Sequence, residues 1–85
     1  MFFVYILKSV KDGKLYVGYT SDVSRRYKEH IDGLVESTKN RRPLKLIYYQ
    51  AFIAKQDAIN EEKYLKSGGK AKNGLKLRIS ESLKI

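Results

Sequence analysis

Cysteine is absent from the 85-residue sequence. This absence excludes disulfide scaffolds, thiolate nucleophiles and zinc sites built from cysteine. Histidine occurs once, at His30, so neither a Ser-His-Asp triad nor a zinc-binding cluster of histidines is recognisable. A Walker loop is also missing. Tyrosine, arginine, the one histidine and the carboxylates are left as candidate functional groups.

Long hydrophobic runs are absent as well. The N-terminal apolar segment, Met1 to Leu7, has no preceding basic region and no small-residue cleavage site, so we expect no signal peptide. The segment is also much too short to span a bilayer. The sequence therefore predicts a soluble cytoplasmic protein without a membrane partner.

Acidic residues are few: nine Asp and Glu stand against 18 Lys and Arg, which gives a net charge of +9. A polyanion, and nucleic acid above all, is the partner that such an excess favours. The alternative is a basic charge that serves only solubility. The length predicts one domain, residues 1–85, with one modest core, because a chain of this size buries only roughly 60–65% of its unfolded surface.

Hydrophobic patterns and turn residues predict three strands and three helices. The strands are Phe2 to Leu7, Leu15 to Tyr19 and Leu44 to Phe52, and the first two form a hairpin around Asp12-Gly13. The helices are Val23 to Ile31, Lys55 to Lys66 and a last one around Leu75 to Leu83. Thr20 to Asp22 and Gly33 mark the ends of the first helix, Ser67 to Gly69 end the second, and Ala54, Ala58 and Leu65 have core spacing. This order predicts an α+β fold, β-β-α-β-α-α, with a three-stranded antiparallel sheet flanked by helices.

Two polar side chains lie within the apolar stripe of the first predicted helix. Val23, Tyr27 and Ile31 form the stripe, and Arg26 and His30 fall inside it. An inward arginine needs an anion to face. One interpretation is a structural ion pair beside a satisfied core histidine. The other is a shared functional site, which the i, i+4 spacing of Arg26 and His30 favours.

Glu62 is a similar anomaly on the second helix, because it shares the side of Ala58 and Leu65. An ion pair with Arg26 would explain it. A divalent metal held by one carboxylate, several waters and a substrate phosphate would also explain it, and this arrangement suits magnesium. The two explanations are compatible. No second carboxylate pairs with Glu62 at a recognisable spacing, so one-metal chemistry is favoured over two-metal chemistry.

These positions together resemble the GIY-YIG nuclease domain over essentially the full chain. The matching strings are Val4-Tyr5-Ile6 and Tyr16-Val17-Gly18, followed in register by Arg26, His30 and Glu62. The sequence around these positions is similar to the small stand-alone branch of this family, which resembles the N-terminal nuclease part of a DNA-repair excinuclease. One position departs from the pattern: Phe3 stands where the signature has glycine.

The resemblance implies a metal-dependent endonuclease, with magnesium or manganese, that acts on DNA in repair or recombination. RNA stays open as a substrate, and a monomer is expected. Arg26 would stabilise charge on the scissile phosphate, and Glu62 would hold the metal. Tyr5 and Tyr16 would flank the attacking water. The general base is left open among Tyr5, Tyr16 and His30. A nucleic-acid-binding module of this fold with weak or no catalysis is the alternative.

Two further predictions concern the surroundings of this site. Gly18 is either a close-packing position or a place where the substrate backbone approaches. Basic residues are candidates for a surface that follows the phosphates, although the loop among them, residues 37–42, is equally compatible with an ordinary solvated loop. The basic candidates are Lys39, Arg41, Arg42, Lys66, Lys70 and Lys72.

Overall fold

The computed structural model of the chain describes residues 1–85 and contains three strands and three α-helices. The strands are β1 (Phe2–Ser9), β2 (Leu15–Thr20) and β3 (Leu44–Phe52). The helices are α1 (Val23–Ile31), α2 (Lys55–Lys66) and α3 (Gly69–Arg78), with short 3₁₀ turns at Lys39–Arg41 and Ser82–Lys84. The predicted α+β order of elements is confirmed. No helix is long and apolar enough to cross a bilayer.

The sheet is antiparallel with the order β2-β1-β3, so β1 is the central strand. The hairpin between β1 and β2 turns at Asp12-Gly13 as predicted. Gly13 has a φ of +73°, a left-handed conformation that glycine adopts without strain. In the hairpin register Tyr5 lies opposite Gly18, and Leu7 lies opposite Tyr16. The two tyrosines of the signature are thereby placed on neighbouring strands.

Side chains of β1 alternate between the two faces of the sheet. The larger apolar core lies on the face covered by α2 and α3, and it consists of Val4, Ile6, Val17, Ala58, Leu65, Leu75 and Ile79. A smaller cluster lies on the other face, and it consists of Tyr5, Leu7 and Leu44 with Tyr16, Tyr27 and Leu46 packed around it. The small cluster contains Tyr5 and Tyr16, so these two tyrosines lie on the face with less apolar burial.

Helix α1 covers the smaller cluster, and its start is fixed by capping. A side-chain oxygen of Asp22 accepts a hydrogen bond of 3.0 Å from the backbone N–H of Arg25. Asp22 is therefore the N-cap among the predicted candidates. After the helix, Gly33 adopts a φ of +77°, as expected of a helix-ending glycine.

Several details of the helices differ from the predictions. The last helix spans Gly69–Arg78 rather than 75–83, since burial of Ala71 and Leu75 outweighs the cost, about 1 kcal/mol each, of Gly69 and Gly74 in a helix. The predicted face is confirmed, because Leu75 and Ile79 are buried. Ala54 was expected in the core but is exposed as the residue before α2.

Candidate active site

Tyr5 lies at the centre of β1 and is 1% exposed. Its hydroxyl is 2.8 Å from Nε2 of His30 on α1. Across the hairpin, a Cβ added to Gly18 would lie 2.3 Å from both the Cζ and the hydroxyl oxygen of Tyr5. No side chain fits there, so glycine at position 18 makes room for the Tyr5 ring. This contact favours the close-packing interpretation of Gly18.

His30 is completely buried, and both of its ring nitrogens have partners. Nδ1 lies 2.7 Å from Oγ1 of Thr38, which is also buried. Burial and the nearby Arg26 cation lower the pKa of His30 to about 4, while Glu29 acts in the opposite direction. The imidazole is therefore neutral at pH 7, with one nitrogen donating and the other accepting. Tyr5, His30 and Thr38 form one buried hydrogen-bonded chain.

Tyr16 completes a cluster of three rings. It is half-buried on the edge strand β2, and its ring centroid lies 6.3 Å from that of Tyr5 and 5.1 Å from that of His30. Burial raises the pKa of Tyr5 to about 12; Tyr16 adds to this rise and the Arg26 cation opposes it. Tyr5 consequently keeps its proton at neutral pH. Tyr16 is the signature tyrosine that solvent reaches.

Arg26 is half-buried beside Tyr5, and its ion-pair partner is Glu29 on the same helix. One nitrogen of Arg26 lies 3.0 Å from Oε1 of Glu29, and Arg25 binds the other oxygen at 3.0 Å. The Glu29 hydrogen bond raises the pKa of Arg26 further. The predicted acidic neighbour therefore exists, but the suggested pair between Arg26 and Glu62 is not formed. The i, i+3 spacing of Arg26 and Glu29 was the signal that could have identified this pair.

Glu62 is partly buried on α2, with 23% of its side chain exposed, and its Oε2 accepts a hydrogen bond of 3.2 Å from Nζ of Lys66. The same Nζ lies 5.9 Å from the centroid of the Tyr16 ring. Lys66 thus links Glu62 to the tyrosine cluster at the edge of β2. No group of three or more His, Cys, Asp or Glu side chains is assembled into a metal site. A single carboxylate fits a cation such as magnesium, which takes most of its ligands from water and phosphate.

Phe3 occupies the position where the family signature has glycine. Its ring packs edge to face against Tyr49 of β3, with centroids 6.0 Å apart and planes at 68°. Phe3 is half-buried, and its side chain lies two residues before Tyr5 on the same face of the sheet. Because the Phe3 ring packs against β3, it does not prevent the contact between Tyr5 and His30.

Sequence reasoning missed Thr38. It lies in the segment between α1 and β3, which was expected to be a solvated or phosphate-binding loop, yet it is completely buried. No periodicity marks such a residue, because only the packed fold brings it to Nδ1 of His30. The predicted apolar stripe of α1 was also partly wrong, since Ile31 is 47% exposed and His30 takes the buried position.

The six predicted basic residues are distributed over the Lys39–Arg41 turn, α2 and α3, with Arg42 directly after the turn. Arg41 and Lys72 line the same groove. Lys66 lies at Tyr16 instead, and Lys70 is exposed near the start of α3. Four members have partners within the chain: Lys39 pairs with Glu36 at 3.0 Å, Nε of Arg42 donates to the carbonyl of Lys39 at 2.9 Å, Lys66 pairs with Glu62 at 3.2 Å, and Arg41 pairs with Asp12 at 3.8 Å. The structure brings together part of the predicted set only.

The candidate site thus combines Tyr5 and Tyr16 of adjacent strands with Arg26 and His30 of α1 and Glu62 of α2. The family model described as the GIY-YIG catalytic domain matches residues 1–76. The chain therefore belongs to the GIY-YIG family, a family of nucleases that act on nucleic acids.

Relatives from several bacteria carry the name UPF0213. The chain is 41% identical over 80 residues to the UPF0213 protein SSP2268 of Staphylococcus saprophyticus, covering 93% of this chain and 94% of the relative. It is 43% identical over 65 residues to the UPF0213 protein YazA of Bacillus subtilis, covering 75% of this chain but 65% of YazA. It is also similar to the solution structure of the UPF0213 protein BH0048 of Bacillus halodurans, with a TM-score of 0.57 and 38% identity, covering 92% of this chain and 84% of that one.

Proposed function

We propose that this chain is an endonuclease that hydrolyses phosphodiester bonds in DNA with the help of a divalent metal ion. The observation that supports this most directly is the buried chain from Tyr5 through His30 to Thr38, which lies beside Tyr16 and Arg26. A buried polar chain of this kind fixes the positions of the groups around it. An ordinary structural core would fill the same space with apolar side chains at lower cost.

The two tyrosines have different roles in this proposal. Tyr5 is 1% exposed, and its hydroxyl is engaged by His30, so Tyr5 and His30 act as positioning residues. A pKa of about 12 keeps the proton on Tyr5, and a pKa of about 4 makes His30 a weak base. Tyr16 lies on the edge strand with solvent access. We propose that Tyr16 first loses its phenolic proton to solvent and that its oxygen then accepts a proton from the attacking water.

Arg26 is the group that stabilises the charge developing on the scissile phosphate. Its guanidinium is partly exposed beside the tyrosines, and Glu29 holds it in place at 3.0 Å. A fixed cation aimed at developing charge contributes typically about 10²- to 10³-fold in rate.

Glu62 would hold magnesium or manganese, with waters and a phosphate oxygen completing the ligand shell. The ion would polarise the phosphate and neutralise part of its charge. Lys66, bonded to Glu62, orients the carboxylate on the side of α2 that faces Tyr16.

The arginine assignment is tested with a matched pair of neighbours. Arg25 and Arg26 both bind Glu29 at 3.0 Å, but only Arg26 is half-buried beside Tyr5. Nicking of a supercoiled plasmid in magnesium or manganese should fall about 10²- to 10³-fold in Arg26→Ala. It should change less than about threefold in Arg25→Ala, where an exposed ion pair is lost. Equal rates in the two variants would contradict the assignment.

The metal assignment is tested in the same way on α2. Glu62→Gln keeps the shape of the side chain and removes its charge, and Glu61→Gln removes the charge from the adjacent residue. We expect Glu62→Gln to abolish metal-dependent nicking and Glu61→Gln to retain it. Wild-type protein that binds DNA with a steep salt dependence but yields no product with any divalent ion would support a binding module instead.

A role in DNA repair or recombination is the finer part of the proposal. It is supported by the resemblance to the excinuclease-like branch. A repair or recombination enzyme should prefer nicked or branched DNA over intact duplex. Comparison of the rates on these substrates checks this expectation, and a faster rate on RNA would redirect the assignment of the substrate.

A further inference from the structure

A groove outside the tyrosine site is lined mainly by positive charge. It has a volume of about 610 Å³ and lies between the β1–β2 hairpin, the 3₁₀ turn at Lys39–Arg41 and α3. Five cations line it, with one carboxylate. The charged lining residues are Lys8, Lys14, Arg41, Lys72, Lys76 and Asp12. We call this the basic groove. Its volume lies within the range of sites that bind small molecules or ligand fragments, about 300–1,000 Å³.

Four of the five cations of the basic groove lack an acidic partner within the chain, and the fifth, Arg41, has only a long ion pair with Asp12. None of its four lysines belongs to an ion pair in this structure. Arg41 comes no closer than 3.8 Å to a carboxylate oxygen of Asp12. Asp12 itself serves the hairpin turn, because it accepts a hydrogen bond of 2.8 Å from the backbone N–H of Lys14. The positive charge of the groove is therefore largely uncompensated.

Part of this lining is fixed in place. Lys8 is half-buried and donates a hydrogen bond of 2.6 Å to the carbonyl of Leu83. Arg41 and Lys72 are also half-buried. Gathering like charges in a partly buried groove destabilises the folded state unless an anion binds there. Lys14 and Lys76 are exposed at the rim, where they can follow an extended ligand.

The basic groove adjoins the tyrosine site around the start of β2. Leu15 lines the groove, and Tyr16, the next residue, belongs to the ring cluster on the opposite face of the sheet. Adjacent residues of a strand point to opposite faces, about 3.8 Å apart along the chain. An extended polyanion held in the groove would therefore leave it at the edge strand that carries Tyr16.

We propose that the basic groove binds the phosphate backbone of the nucleic-acid strand flanking the cleavage position, as a second contact separate from the tyrosine site. The inference rests on the proposed nucleic-acid substrate. It gives the groove a positioning function: phosphate contacts set register and orientation without reading sequence.

The test compares two pairs of exposed lysines that carry the same charge. Lys14→Gln/Lys76→Gln removes two charges from the rim, and Lys55→Gln/Lys63→Gln removes two from exposed positions of α2 outside the groove. Binding of a fluorescent 20-nucleotide single strand and of a 20-base-pair duplex is measured by anisotropy in EDTA. Metal-free conditions separate binding from cleavage. Thermal midpoints of both variants should match that of the wild type.

We expect the groove pair to lose about tenfold in affinity near 0.1 M salt and to reduce the slope of log affinity against log salt by about 2. The α2 pair should lose less than about threefold and keep most of the slope. Equal losses in the two pairs would overturn the inference, and so would unchanged affinity in the groove pair. Nicking that is insensitive to Arg26→Ala would instead overturn the proposed active site and leave the groove result standing.

Discussion

The two faces of the sheet have opposite character. The face under α2 and α3 buries seven apolar side chains in one cluster. The face under α1 buries three, and beside them it holds His30 and Thr38, which are both completely buried. The central strand β1 supplies residues to both faces, with Val4 and Ile6 on one and Tyr5 and Leu7 on the other.

This difference shows how so small a chain combines stability with chemistry. The seven-residue cluster on the α2 and α3 face makes the larger hydrophobic contribution of the two clusters. The α1 face can then include polar groups that cost free energy to bury, provided that each has a partner. No buried side-chain nitrogen or oxygen lacks a hydrogen-bond partner in the structure. The polar face is thereby paired throughout.

The largest predicted effect is a difference in stability between matched core truncations on the two faces. Leu65→Ala opens a cavity in the seven-residue cluster, and Leu44→Ala makes the same change in the three-residue cluster. Such truncations cost about 2–5 kcal/mol, and we expect Leu65→Ala near the upper end and Leu44→Ala near the lower end. Urea unfolding of both variants measures the difference. A larger loss for Leu44→Ala would mean that the α1 face is the principal core.

Acidification should weaken the α1 face selectively. His30 has a pKa of about 4 when folded against an ordinary value of 6.5. The unfolded chain therefore binds more protons between these values, so the free energy of unfolding falls as the pH falls through this window, by about 2 kcal/mol at pH 5. Urea midpoints between pH 8 and pH 5 test this. Above pH 5 the carboxylates contribute little to the pH dependence of the free energy of unfolding.

The control for this prediction is His30→Gln, which cannot titrate and should remove the slope between pH 8 and pH 5. If that variant fails to fold, titration of the wild-type imidazole by NMR gives the same information. A measured pKa at or above 6.5 would contradict the buried, neutral state of His30.

The smallest predicted effects come from two glycine substitutions that should act in opposite directions. Gly18→Ala places a methyl group against the Tyr5 ring and should destabilise the fold by about 1–3 kcal/mol while displacing Tyr5 from His30. Gly74→Ala meets no atom within 4 Å on α3 and should stabilise the fold by about 0.5–1 kcal/mol. Thermal unfolding of both variants checks the signs. A stable, active Gly18→Ala protein would show that Tyr5 has freedom to move.

Much of the fold was predictable, because strong local signals agree with the packed structure. The bounds of β3, α1 and α2 are confirmed as predicted. Their ends are marked by Pro43, by the capping residue Asp22 and by Gly33. The last helix was predicted too late in the sequence, because the glycines at its start were interpreted as the end of α2.

The residues proposed for the site were identified from the sequence, but the side chains that they contact were not. Spacing on one helix identified Arg26 and His30 as anomalous. Their contacts depend on the tertiary structure: Thr38 reaches His30 from a segment without periodicity, and Lys66 connects Glu62 to Tyr16. The placement of Tyr5 in the interior and Tyr16 at the edge also follows from the sheet order, which no local pattern specifies.

The ion pairs of α1 leave a charge imbalance beside the tyrosines. Arg25 and Arg26 share the single carboxylate of Glu29, each binding a different oxygen at 3.0 Å. The carboxylate therefore holds Arg26 in place while neutralising only half of the positive charge around it. The trio keeps an excess of one positive charge next to Tyr5, so the arginine is oriented before any phosphate arrives and still has electrostatic attraction to offer it.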